Sequence, residues 1–299
     1  MDRANITQLG LPLKNLVHLA EDKYKEKPSI FLLHGFGSNM KDLFGLTPFF
    51  GEGWNCISLQ ASIQIQYDGW GWAELDPMNI RKLPKPEQIA LHFDMISKSI
   101  EQTIDELELD KEKINLLGFS QGASLSIYCG LKIPETFKTV VALCGYVPED
   151  NIRQGIDRSE ERDIEFFMGN GTLDQIVTLP IAQASRDYLN SIGISLHYKE
   201  YESGHTIPND CLNDTLQWLN HHNDFDVTRD HNKSQQYDPN TGNYPSINKK
   251  PRSAIYLETT ITSRRHPNHH RHRPSRHHLP LQGTKPAHLT MPDSHPLHE

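Results

Sequence analysis

Short apolar runs recur along the first 222 residues, at 29–33, 56–59, 113–118, 139–143, 163–168 and 195–198. They are rich in Ile, Val, Leu and Phe. Runs of this kind suit strands covered on both faces, where neither side of the strand meets water. Between them the period changes. In 87–107 the apolar residues Ile89, Phe93, Ile96, Ile100, Ile104 and Leu107 step by three or four, drawing one stripe along a helix. Pro84 and Pro86 mark its start. Further helices are expected over 123–131, 181–192 and 208–219. Strands and helices alternating at this spacing predict an α/β architecture, with a mostly parallel sheet and helices on both faces. The segment 16–19 leaves room for an antiparallel start.

The apolar pattern stops near residue 222. Beyond it come Pro, Asn, Asp and His, as in Arg264-Arg265-His266-Pro267-Asn268-His269-His270-Arg271-His272, and residues 223–299 hold ten of the 17 histidines. Such a segment buries too little apolar surface to offset the entropy of ordering it. The expected organisation is a folded domain over 1–222 and a disordered His-rich tail over 223–299. Charge divides at the same place. Residues 1–222 carry 19 Lys and Arg against 31 Asp and Glu, a net −12, whereas the tail carries 11 against 7, a net +4. The acidic part repels nucleic acid and anionic membranes at long range. The tail's irregular His spacing, with no Cys nearby, reads as a solvated segment rather than a metal site.

Cys56, Cys129, Cys144 and Cys211 form no CxxC pair and read as buried, reduced thiols. The N-terminus lacks the basic-then-apolar layout of a signal peptide, and no apolar run nears the ~20 residues of a membrane helix. The expectation is a soluble, cytoplasmic protein with no nucleic-acid partner and no stable membrane insertion.

Chemistry enters at Gly118-Phe119-Ser120-Gln121-Gly122. G-x-S-x-G alone is common. Here an apolar strand runs into it and an amphipathic stretch follows, which is the strand–turn–helix setting of a nucleophile elbow. A serine on so tight a turn lifts its Oγ clear of the sheet, and the flanking glycines let strand and helix approach closely. The hydroxyl then needs a base, and the base an orienting carboxylate. His205 lies in Ser203-Gly204-His205-Thr206-Ile207-Pro208, a loop after the last strand and ahead of the last helix. His197 falls inside a strand, while His221 and His222 close the final helix. Asp174, in Gly169-Asn170-Gly171-Thr172-Leu173-Asp174-Gln175, again follows a strand's carboxyl end; Asp157, Asp163 and Glu165 precede or begin that strand. For the oxyanion, one N–H is expected from Gln121 and the other from Phe36 in Leu33-His34-Gly35-Phe36-Gly37-Ser38-Asn39. His34 is read as bracing that loop.

The four blocks 32–39, 118–123, 171–177 and 203–208 together resemble the phospholipase/carboxylesterase family of α/β-hydrolases, which includes the acyl-protein thioesterases. The resemblance covers nearly all of 10–220 and none of the tail. It implies an α/β-hydrolase fold with little or no cap. It also implies metal-free cleavage of carboxylic esters or thioesters, so the expected partner is a small acyl ester or thioester, with no cofactor; the chain is expected to be a monomer or homodimer. Ser120, Asp174 and His205 carry over as the triad, with Phe36 and Gln121 as oxyanion donors. The chain departs from the family pattern at Cys144-Gly145-Tyr146 and at Asn170-Gly171. Tyr67-Asp68-Gly69-Trp70-Gly71-Trp72-Ala73 is placed like the family's aromatic substrate loop, so Trp70 and Trp72 are expected to bind substrate. Two rival readings are an amidase or peptidase of the same fold, for which 1–222 leaves no gating domain, and a non-catalytic protein binding through its basic tail. The complete triad speaks against the second.

Overall fold

A computed structural model describes residues 6–75, 85–147 and 164–224. The chain begins with β1 (Ile6–Thr7), β2 (Asn15–His18) and β3 (Ser29–Leu33). Two short helices, α1 (Met40–Phe44) and α2 (Thr47–Phe50), precede β4 (Asn55–Leu59) and the hairpin of β5 (Ile63–Gln66) and β6 (Gly69–Gly71). Then come α3 (Pro86–Leu107), β7 (Ile114–Phe119), α4 (Gln121–Lys132), β8 (Thr139–Leu143), β9 (Glu165–Gly171), α5 (Leu179–Ser191), β10 (Ser195–Tyr201) and α6 (Asn209–His222).

Eight strands form one sheet in the order β1-β2-β4-β3-β7-β8-β9-β10. From β4 to β10 every neighbour is parallel. At the other edge β2 meets β4, and β1 meets β2, antiparallel. The mostly parallel sheet with an antiparallel start is therefore present. Every residue of β3, β4, β7 and β8 is buried, and alternate residues feed two cores. Phe31, Leu33, Leu116, Val140 and Phe166 pack with Ile96 and Ile100 of α3, Ile127 of α4 and Leu189 of α5. Ile30, Leu32, Leu117, Val141 and Phe167 pack with Leu43 of α1, Phe50 of α2 and Leu219 of α6. This is the period of two of a strand, read out on both faces at once. It explains why the sequence shows unbroken apolar runs.

The helices expected from the apolar stripes are present, with every end within three residues of its expected place. The expected strand at 163–168 runs over Glu165–Gly171 instead, so Asn170 and Gly171 complete a strand rather than open a loop. The β5–β6 hairpin, β1, α1 and α2 are elements the apolar pattern did not announce. Asn223, one residue past the expected domain edge, is buried and exchanges side-chain hydrogen bonds of 3.1 Å with Asn115 of β7. The rest of the expected tail, 225–299, lies outside the described residues, as do 76–84 and 148–163. All four cysteines are buried and free. Among the described residues no helix is long and apolar enough to cross a membrane.

Phe167 is fully buried between sheet and α6, its ring 5.3 Å from that of His197 and 5.5 Å from that of Trp218. Phe167→Ala is expected to lower the unfolding free energy by about 3–5 kcal/mol in urea titrations.

Candidate active site

β3 and β7 are parallel partners, with Leu33 opposite Gly118. The chain leaves both strands at the same edge, which brings 34–37 beside 119–122. At the elbow Ser120 takes φ 55° and ψ −117°, a conformation rare for a residue with a side chain. Such a backbone costs on the order of 1–3 kcal/mol and persists only where neighbours enforce it. The Ser120 amide donates to the Leu143 carbonyl at 2.9 Å, and the Ser120 carbonyl accepts from the Ser124 amide at 3.1 Å. The two motif glycines are required by space. A Cβ on Gly118 would stand 2.2 Å from the Gly122 carbonyl oxygen, and one on Gly122 would stand 2.1 Å from that of Leu33.

β9 and β10 are also parallel, with Gly171 opposite Tyr201. The loops beyond them stay zipped, Thr172 N donating to Tyr201 O at 2.8 Å and Leu173 N to Ser203 O at 3.0 Å. Asp174 and His205 therefore emerge together. His205 Nδ1 lies 2.7 Å from Asp174 Oδ2, and His205 Nε2 lies 2.8 Å from Ser120 Oγ. The Asp174 side chain is wholly buried, and its other oxygen accepts the amides of Ile176 at 2.7 Å and Val177 at 3.0 Å. These donors fix the side chain in place. The Phe119 ring lies 5.1 Å from the imidazole. Of the rival acids, Glu165 sits at the opposite end of β9, accepting from Ser195 Oγ at 2.6 Å. Asp157 and Asp163 lie outside the described residues.

The Phe36 and Gln121 amides have no hydrogen-bond acceptor among the described residues. His34 is buried beneath them. Its Nε2 accepts from the Ala61 amide at 3.1 Å, so Nδ1 carries the proton and donates to the Gly35 carbonyl at 2.7 Å. Burial pushes its pKa down to about 4.

The phospholipase/carboxylesterase family model matches residues 15–223. The chain belongs to that family. Acyl-protein thioesterase 1 homolog 1 of Dictyostelium discoideum is 30% identical over 125 residues, 42% of this chain and 54% of that protein. Acyl-protein thioesterase 1 of Aspergillus fumigatus is 23% identical over 212 residues, 65% of this chain and 88% of that protein. The chain spans about half the length of the first relatives it matches, 54% and 48% of the Dictyostelium and Yarrowia lipolytica proteins. A carboxylesterase structure from Mesorhizobium loti superposes with a TM-score of 0.63 at 22% identity, covering 72% of this chain and 98% of that one. That likeness speaks for the α/β-hydrolase fold.

Two departures from the family pattern meet in space. Asn170 Nδ2 donates to the Gly145 carbonyl at 3.1 Å. The preceding Cys144 has φ 53°, and its Sγ donates to the Thr206 carbonyl at 3.4 Å, next to the loop that carries His205. The ligand atoms of Cys144, Asp174 and His205 lie within 4.8 Å of one another. Burial raises the thiol's pKa, and the carboxylate and imidazole are already bonded to each other.

The aromatic loop corrects the expectation for one tryptophan. Trp70 belongs to β6 and keeps partial exposure, with Lys14 Nζ 5.5 Å from its ring centre. Trp72 is fully buried and presents no surface to a substrate. Its Nε1 donates to the His34 carbonyl at 2.8 Å, and its indole packs between His34 and His92, with centroid distances of 5.2 and 5.4 Å. It braces the loop after β3. His92 escaped the sequence reading, although it falls in step with Ile89 and Ile96 on the apolar stripe of α3. Its Nε2 accepts from the Ser62 amide at 3.1 Å, and burial lowers its pKa.

His34 and His92 are neutral in the fold, and the unfolded chain binds their protons more readily. Their contribution to stability is therefore fully present above pH 6.5 and is lost as pH falls, for His34 between 6.5 and about 4. His34 contributes on the order of 3 kcal/mol to that loss. His34→Gln is expected to flatten the loss of Tm between pH 6.5 and 4 relative to wild type, as measured by thermal melts across pH.

Proposed function

We propose that the protein is a serine hydrolase that cleaves carboxylic esters or thioesters through an acyl-enzyme. The observation carrying this reading is the chain of contacts from Asp174 Oδ2 through the imidazole of His205 to Ser120 Oγ, at 2.7 and 2.8 Å. Two unpaired amides beside it, and kinship with thioesterases and carboxylesterases, support it.

Ser120 Oγ attacks the acyl carbonyl while His205 Nε2 takes its proton. Asp174 holds the Nδ1 proton on the far side and stabilises the imidazolium that forms. The carbonyl oxygen becomes an oxyanion between the Phe36 and Gln121 amides, a donor of this kind being worth about 3 kcal/mol. His205 returns the proton to the departing alcohol or thiol, leaving the acyl group on Ser120. Water, deprotonated by the same imidazole, reverses the sequence and frees the acid. Trp70, the half-buried tryptophan of the aromatic loop, is the one proposed to contact substrate. The reaction resides in the stretch that matches the family, residues 15–223.

Ser120→Ala is expected to reduce hydrolysis of p-nitrophenyl butyrate to the uncatalysed background and to abolish labelling by a fluorophosphonate. Equal labelling of variant and wild type would overturn the assignment. Removal of residues 225–299 is expected to leave kcat/KM within about twofold; a large loss would place part of the site in that segment.

A further inference from the structure

The two amides proposed to hold the oxyanion belong to separate segments, the loop after β3 and the first turn of α4. Register places the segments side by side, yet a loop of Gly35, Phe36 and Gly37 has few restraints of its own. The end of the β5–β6 hairpin spans the gap. β6 continues into Trp72 and Ala73, and this strap is bonded to both sides. On the loop side, the Gly37 amide donates to the Trp70 carbonyl at 2.8 Å and the Trp70 amide to the Ser38 carbonyl at 2.7 Å. Trp72 Nε1 donates to the His34 carbonyl at 2.8 Å. These bonds fall on both flanks of Phe36. The Phe36 ring itself lies against the strap, 3.0 and 3.1 Å from where a Cβ on Gly71 would stand.

On the elbow side one side chain makes both connections. Gln121 Oε1 accepts from the Trp72 amide at 2.8 Å, and its Nε2 donates to the Ala73 carbonyl at 2.7 Å. The strap offers one N–H and one C=O, and a primary amide matches that pair with one acceptor and one donor. We infer that the Gln121 side chain is a positioning residue of the oxyanion hole. It clamps the 72–73 strap to the elbow and so sets the distance between its own backbone amide and that of Phe36. The role is separate from the backbone donation of Gln121 and rests on the reading of Ser120 as nucleophile. The strap is stiff enough to transmit the restraint, because Trp72 is held between the buried rings of His34 and His92.

Loss of the side chain leaves the Gln121 amide in place, since the elbow geometry holds it, but releases the loop carrying Phe36. Misplacement on the scale of an ångström costs up to about 100-fold in rate. The hole binds charge that exists only in the transition state, so the deficit falls on kcat and spares KM.

The test compares full-length wild type with Gln121→Ala, Gln121→Met and Gln121→Glu on p-nitrophenyl butyrate. The same proteins are titrated with a trifluoromethyl ketone, whose serine adduct places an oxyanion in the hole. Ala and Met variants are expected to lose about 10- to 100-fold in kcat, with KM within about threefold and the ketone weakened by a matching factor. Gln121→Glu keeps the acceptor for Trp72 but sets a carboxylate against the Ala73 carbonyl. Its deficit relative to wild type is expected to shrink as pH falls and the carboxyl regains a proton. Retention of kcat within about twofold in the Ala and Met variants, or a rise in KM with unchanged ketone affinity, would overturn the inference. Should those two variants fail to fold, a Gln121→Glu deficit that does not change with pH would overturn it. A Ser120→Ala protein that still turns over defeats the underlying reading instead, so the two failures are separable.

Discussion

Parallel register is the constraint on which the rest of this structure depends. Leu33 stands opposite Gly118, and Gly171 opposite Tyr201. Each pair sends two loops off one sheet edge at the same height. The first pair sets the Phe36 loop beside the elbow; the second sets Asp174 beside His205. β8 lies between the two halves and joins them, its Leu143 carbonyl accepting the Ser120 amide and the Cys144 amide donating to Gly169. A one-residue slip of β7 would exchange the two faces of a fully buried strand. The apolar runs that build the cores thus also fix the polar site.

The site holds groups that a core alone would reject. Ser120 keeps a strained backbone, and the Asp174 carboxylate is fully desolvated. His34 and His92 are buried as well. Each is tolerable only with its partners. The carboxylate has an imidazole and two amides; each histidine has an amide on one ring nitrogen and a carbonyl on the other. Buried polar groups left unpaired cost about 1–3 kcal/mol each, so these networks define one arrangement of the loops.

Much of this was legible in the sequence. Strands β3, β4, β7 and β8 declared themselves because burial on both faces leaves no polar position. α3 was visible through its single stripe. Ser120, Asp174 and His205 were singled out because each follows a strand end in a loop rich in small residues, and the structure brings their side chains within hydrogen-bonding distance. The hairpin was missed although Ile63-Gln64-Ile65-Gln66 alternates and Asp68-Gly69 marks a turn. The glycines around Trp70 and Trp72 read as an open loop, and nothing local separates a partly exposed indole from one sealed beneath a distant segment. The grip of the Gln121 side chain on Trp72 and Ala73 joins residues far apart in sequence. No periodicity reports such a contact.

The measurement that tests the central claim most directly is rapid acid quench of the enzyme during turnover of p-nitrophenyl butyrate, followed by intact-mass analysis and peptide mapping. The account predicts a protein carrying one butyryl group, located on Ser120 and formed at the rate of the first p-nitrophenol release. Butyryl on another residue, or steady turnover with no covalent species in either wild type or a slowed His205→Ala variant, would contradict it.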